Sequence, residues 1–122
     1  MEKNVPYDEK LAQRIRKALH GKRQLSERKM FGGIAFLHRG HMFCGVLRDN
    51  LVVRVGPERG SQMLPHPHVL PMDFTGKVMK GYLYVNPKGT SSTKSLNRWL
   101  EEALAFVRGL PPKAALKKTS AF

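Results

Sequence analysis

The sequence predicts an α+β domain. Apolar residues recur at helical spacing near both ends of the chain, strand-like segments fill the middle, and glycine-containing turns separate those segments. The 122 residues fit one domain, long enough to bury roughly two-thirds of the surface that the unfolded chain exposes. An apolar fraction of 41% supports a packed core without disulfides or metal.

The elements follow in order. Asp8 is placed to cap a first helix, with Leu11, Ile15, Ala18 and Leu19 at helical spacing, and Gly21 stops it. Glu27–Phe31 reads as a short strand leading into Gly32-Gly33. Ile34–His38 and Met42–Leu47 read as a hairpin around Arg39-Gly40, and Leu51–Val55 as a further strand after the turn Arg48-Asp49-Asn50. Gly56-Pro57 opens a short helix through about Met63, proline being suited to a first turn. Pro65-His66-Pro67-His68 and Pro71 read as an irregular connection, and Met79–Val85 as a strand closed by Asn86-Pro87. Ser91, Ser92 or Thr93 caps a last helix, whose apolar face is Leu96, Trp99, Leu100, Ala103, Leu104 and Val107. Gly109 and Pro111-Pro112 end it. Leu11, Ile15, Leu96, Trp99, Leu100 and Val107 are the expected helical contribution to the core. Residues 1–112 are expected to form the domain and 113–122 a basic, disordered tail that folding does not need.

Successive strand residues point to opposite faces. In the hairpin both sets are apolar: Ile34 and Phe36 against Ala35 and Leu37, then Phe43 and Leu47 against Met42, Cys44 and Val46. A sheet with one wet face would alternate apolar and polar residues. A second cover is therefore expected, either the protein's own connection around Pro65–Lys77 or another subunit, so a homodimer is one of the arrangements allowed.

Charge is the strongest compositional signal. Twenty-two Lys and Arg against nine Asp and Glu give a formal +13. From Leu110 onward only Lys113, Lys117 and Lys118 are charged, which leaves +10 on the body of the domain. Nucleic acid or an acidic protein fits such a field. The one cysteine, Cys44, has no internal partner, no apolar run approaches the ~18 residues of a membrane span, and Met1–Lys10 has no signal-peptide stretch. A cytoplasmic protein without membrane contact is expected.

Chemical motifs are sparse. Gly76-Lys77 ends like a phosphate-binding loop, but Pro71 stands where the first glycine belongs and Val78 replaces the metal-binding hydroxyl. His66 with His68, and His38 with His41, are spaced to share a face, yet a zinc site needs about four convergent ligands. Cys44, on an apolar strand, reads as a buried structural thiol. Asp73 has no evident structural task. No catalytic residue, cofactor or metal is assigned. The remaining candidate is a basic and aromatic surface: Lys80, Tyr82 and Tyr84 on one strand, with Arg54, Arg28, Lys29 and Lys77 near glycine turns. Aromatic rings beside cations on a sheet are what stacking of single-stranded bases requires.

Arg28-Lys29-Met30-Phe31-Gly32-Gly33-Ile34-Ala35-Phe36 resembles the opening signature of the TfoX N-terminal domain family. Phe43-Cys44-Gly45-Val46, Leu51-Val52-Val53-Arg54-Val55-Gly56-Pro57, Met72-Asp73-Phe74-Thr75-Gly76-Lys77, Met79-Lys80-Gly81-Tyr82 and Tyr84-Val85 follow in the family's order. The helix with Trp99 and the ending Leu110-Pro111-Pro112-Lys113 extend the resemblance over roughly Tyr7 to Lys113. It implies an antiparallel sheet with N- and C-terminal helices packed on it, in a secretion-chaperone-like arrangement. Some members of that family regulate natural competence and carry a second, C-terminal domain; this sequence ends at Phe122. The resemblance brings no catalytic residues with it. The expected function is a non-catalytic regulatory module that contacts a protein partner, in transcription or competence regulation. Direct nucleic-acid binding through Arg28, Lys29, Arg54, Lys77, Lys80, Tyr82 and Tyr84 is the alternative.

Overall fold

The first helix, α1 (Glu9–Ala18), starts at Asp8, whose Oδ1 accepts from the backbone N–H groups of Lys10 at 2.9 Å and Leu11 at 3.3 Å. Glu9 in its first turn and Arg16 and Lys17 in its last complement the helix dipole. The structure, a computed structural model, describes residues 7–30, 32–74 and 76–111. The expected tail at 113–122 lies outside them.

The described residues form one six-stranded antiparallel sheet: β1 (Leu25–Met30), β2 (Gly33–His38), β3 (His41–Leu47), β4 (Asn50–Arg54), β5 (Val69–Phe74) and β6 (Lys77–Val85). Helix α2 (Pro57–Met63) joins β4 to β5, and a 3₁₀ turn (Pro87–Thr90) leads from β6 into α3 (Thr93–Arg108). The spatial order is β1-β2-β3-β4-β6-β5, so β6 lies between β4 and β5. At the β2–β3 tip, Arg39 and Gly40 take φ of 53° and 88°, the two positive values a type I′ hairpin needs.

Helices α1 and α3 pack on one face of the sheet. Leu11, Ile15, Leu96, Trp99, Leu100 and Val107 are all buried there, as their spacing predicts. They meet Phe36, Phe43, Val46, Leu51, Val53, Leu83 and Val85 from the strands. Ser92 caps α3 by accepting from the Ser95 N–H at 3.0 Å. Polar ties hold the layers in place: Arg14 donates to the Thr90 carbonyl at 2.7 Å, and Arg16 reaches Glu27 on β1 at 2.8 and 3.1 Å.

Two expectations are corrected. The stretch read as an irregular connection contains a strand, β5, paired with β6 through Val69↔Val85, Leu70↔Tyr84 and Pro71↔Leu83. Pro71 is compatible with it because β5 is the sheet's edge, where a missing N–H leaves no neighbour unpaired. From Val69 on, this stretch therefore widens the sheet instead of lying over its second face. The other correction concerns β3. Phe36 pairs with Cys44 but Leu37 with Met42, so Phe43 is an extra residue on β3. The bulge interrupts simple alternation. Phe43, Cys44 and Val46 all join the helix-side core beside Ile34 and Phe36.

The opposite face is also apolar. Ala35, Leu37, Val52 and Met72 are buried without belonging to the helix-side core. The row Ala35–Gly45–Val52–Tyr84–Leu70 crosses it from β2 to β5.

Candidate functional site

The seven residues of the basic and aromatic surface fall into three groups. Arg54 and Tyr82 are direct cross-strand partners, and Tyr84 lies two residues on from Tyr82, opposite Val52. The Arg54 guanidinium sits 5.6 Å from the Tyr82 ring centroid and 5.4 Å from that of Phe106 on α3. Two rings thus fix the cation through their negative faces. Arg28 shares the sheet face of Tyr84 by alternation, but Ala35, Gly45 and Val52 stand between them. Four strand spacings separate the two, about 19 Å on a flat sheet. Lys29 alternates to the face opposite Arg28. Lys77 and Lys80 are exposed on the β5–β6 hairpin. Lys80 precedes Gly81, whose φ of 86° breaks the alternation before Tyr82. The structure therefore brings Arg54, Tyr82 and Tyr84 together and leaves the other cations apart.

Tyr84 is half-buried. Burial pushes its phenol above the ordinary range, the Asp73 charge adds to this, and Arg48 acts the other way. Asp73 is exposed on β5 opposite Val78. Cys44 is fully buried and burial pushes its thiol well up, the environment of an unreactive side chain. Among the described residues, no three His, Cys, Asp or Glu side chains are grouped to hold a metal ion.

The histidine pairs have separate settings. His38 and His41 are cross-strand partners beside the β2–β3 tip and both are buried. His41 Nε2 lies 2.6 Å from the Pro111 carbonyl oxygen, so that nitrogen carries the proton and donates. His38 Nδ1 is buried with no hydrogen-bond partner among the described residues. Burial first, then the charges of Arg39, Arg108 and His41, hold the His38 imidazole below its usual range. A pH dependence of stability follows. The folded protein binds this proton less readily than the unfolded chain, whose histidine titrates near pH ~6.5. The His38 contribution is therefore complete above that pH and is lost as pH falls below it, by at most about 1.4 kcal/mol per pH unit for one proton. Urea midpoints measured between pH 7.5 and 5.5 should fall less steeply in His38→Gln than in the parent; equal slopes would contradict the assignment.

A groove that the sequence did not reveal lies between α2 and the β5–β6 pair, with a volume of about 320 Å³. It forms because β6 bulges here. Gly81 approaches Gly56 so closely that a Cβ on Gly81 would stand 2.9 Å from the Gly56 carbonyl carbon, and both glycines have positive φ. Leu64, Pro71, Val78 and Leu83 line the groove, and Lys80 is its one charged lining residue. Leu64, Val78 and the neighbouring Leu70 are the large apolar side chains that stay exposed among the described residues, at 39%, 63% and 59%. The available signal was the apolar run Val69–Met72, masked by Pro71.

A family model described as the TfoX N-terminal domain matches residues 17–107. The chain belongs to the TfoX N-terminal domain family. The match runs from the end of α1 almost to the end of α3, so the whole sheet, the Arg54–Tyr82 pair and the α2–β6 groove are parts of the TfoX N-terminal domain. This is a regulatory domain family associated with competence regulation. Comparisons with curated proteins and with solved structures gave no match.

Proposed function

We propose that this TfoX N-terminal domain is a non-catalytic regulatory module in competence or transcription control, acting through protein–protein contact at the α2–β5–β6 margin. One observation carries the reading: two exposed large apolar side chains, Leu64 and Val78, line the groove beside the edge strand β5, which carries the exposed Leu70. Single exposed apolar residues are ordinary, whereas exposed apolar residues that line a common groove are characteristic of an interaction site. The outer ladder of β5 adds unpaired backbone groups that an extended segment engages by strand addition. The occupant is an extended, apolar and acidic segment of a partner protein. Lys80 in the groove and Lys77 beside it favour acidic side chains, while a formal +13 on each copy opposes self-association.

The test is capture from source-cell lysate after nuclease treatment, comparing the parent with Leu70→Ser/Val78→Ser. Both side chains are exposed, so the double variant should fold. Proteins retained by the parent should bind the variant about tenfold more weakly, the loss of one or two interface anchors. Equal retention by both would overturn the proposed margin.

A second reading, direct nucleic-acid binding, draws on the net charge and on the cross-strand pair Arg54–Tyr82 with Tyr84 two residues on. Recovery of nucleic acid alone in the same experiment would favour it.

A further inference from the structure

A second concavity, of about 480 Å³, opens between α3, the 3₁₀ turn and the loop after α2. Lys88, Arg98, Ser95, His66 and His68 surround it, and Trp99 and Met63 contribute to its wall. No residue lines both this cleft and the α2–β6 groove.

The lining carries an excess of cationic donors. Lys88 and Arg98 make no ion pair among the described residues. The His66 Nδ1 accepts from the His68 backbone N–H at 3.3 Å, which leaves the proton of the neutral ring on Nε2 as a donor. The Ser95 hydroxyl adds a further donor. Two acceptors of the lining are already occupied. Glu102 takes Arg59 at 2.7 and 3.5 Å, and the Gly89 carbonyl takes the Trp99 indole N–H at 3.1 Å. Glu102 and Arg59 cancel in charge, so the cleft presents two uncompensated cations and several free donors. Such a set is complementary to a compact anion rich in acceptors, and guanidinium and ammonium groups together are suited to phosphate.

The space exceeds what a phosphate group alone fills and lies within the roughly 300–1,000 Å³ of small-molecule sites. Met63, Pro67 and the indole wall supply apolar surface for an organic portion, with the His66 ring edge-on to Trp99 at 5.4 Å between centroids. We propose that this cleft binds a small phosphate monoester, its phosphate between Lys88 and Arg98 and its organic part toward Met63 and Trp99. The regulatory module would then carry an effector site beside its partner surface.

Trp99 is the chain's one tryptophan, so its fluorescence reports on the cleft directly. Ribose 5-phosphate does not absorb in that range and serves as the probe, titrated at constant ionic strength against ribose and inorganic phosphate. The expected result is a saturable change with ribose 5-phosphate at a midpoint of about 1 mM or below, none with ribose, and weaker binding of inorganic phosphate. Lys88→Ala and Arg98→Ala should each raise the midpoint about tenfold or more, as loss of a hydrogen bond to a charged group does. Lys94→Ala, on the same helix but outside the cleft, should leave it unchanged. No saturable change up to about 10 mM, a midpoint unaffected by Lys88→Ala and Arg98→Ala, or inorganic phosphate binding as tightly as the ester would each overturn the proposal. The Leu70→Ser/Val78→Ser protein should keep its ribose 5-phosphate response, which separates this site from partner binding.

Discussion

Trp99→Ala is expected to destabilise the domain by about 3–5 kcal/mol, the range for truncating a large aromatic core residue. The Trp99 ring is 7% exposed and packs in the core with the sheet, while its indole N–H donates to the Gly89 carbonyl in the 3₁₀ turn. Truncation opens a cavity under α3 and leaves that carbonyl without its partner. A stability of 5–15 kcal/mol is ordinary for a domain, so a loss of this size removes much of it. Equilibrium urea unfolding measures it. Trp99→Phe retains most of the volume and loses only the hydrogen bond, so it should cost about 1–3 kcal/mol. A loss below about 1 kcal/mol for Trp99→Ala would show that α3 is held by its aliphatic residues without the indole.

The α3 face was legible in the sequence because a helix writes its buried side at a fixed period. Leu96, Trp99, Leu100 and Val107 need no knowledge of what they touch. Local signals also located Asp8 as a cap and Arg39-Gly40 as a turn, since capping and positive φ depend on neighbouring backbone alone. The strand β5 depended on tertiary context. Pro71 argues against a strand unless the strand is at an edge, and edge position is a property of the whole sheet. The same dependence hid the candidate groove, whose walls come from α2, β5 and β6 and close only because Gly81 and Gly56 meet. Cys44 and Val46 were placed by alternation alone, and one extra residue, Phe43, made that rule unreliable. The phosphate cleft has a similar origin. His66 and His68 were visible as a pair, but Lys88 and Arg98 reach them through the 3₁₀ turn and the first turns of α3.

Any binding to single-stranded nucleic acid is expected to weaken by roughly twenty- to fifty-fold between 50 and 200 mM salt. Each phosphate neutralised by Lys or Arg releases counterions, giving a slope of about −0.7 in log affinity against log salt per contact on a single strand and −0.9 on duplex. Arg28, Arg54, Lys77 and Lys80 would provide three or four such contacts, Lys29 standing on the opposite face. They are spread over the sheet and its β5–β6 hairpin, so a strand must run from the Arg28 side toward Lys77 to use most of them. The salt slope alone does not distinguish this surface from a general positive field, and the aromatic residues supply the distinction. Tyr82 has one cation beside its ring already, and Tyr84 stands between Val52 and Leu70 in the same row. A base stacked on either ring should make Tyr82→Ala or Tyr84→Ala cost about 1–3 kcal/mol per base. Lys113→Ala with Lys117→Ala is the matched loss of charge at residues not assigned to the site and should change affinity little. Fluorescence anisotropy with labelled oligonucleotides at several salt concentrations measures all of these. Tyrosine variants that fold and bind like the parent would remove the stacking site, and an absence of binding at 50 mM salt would assign the charge to an acidic protein segment at the α2–β6 groove.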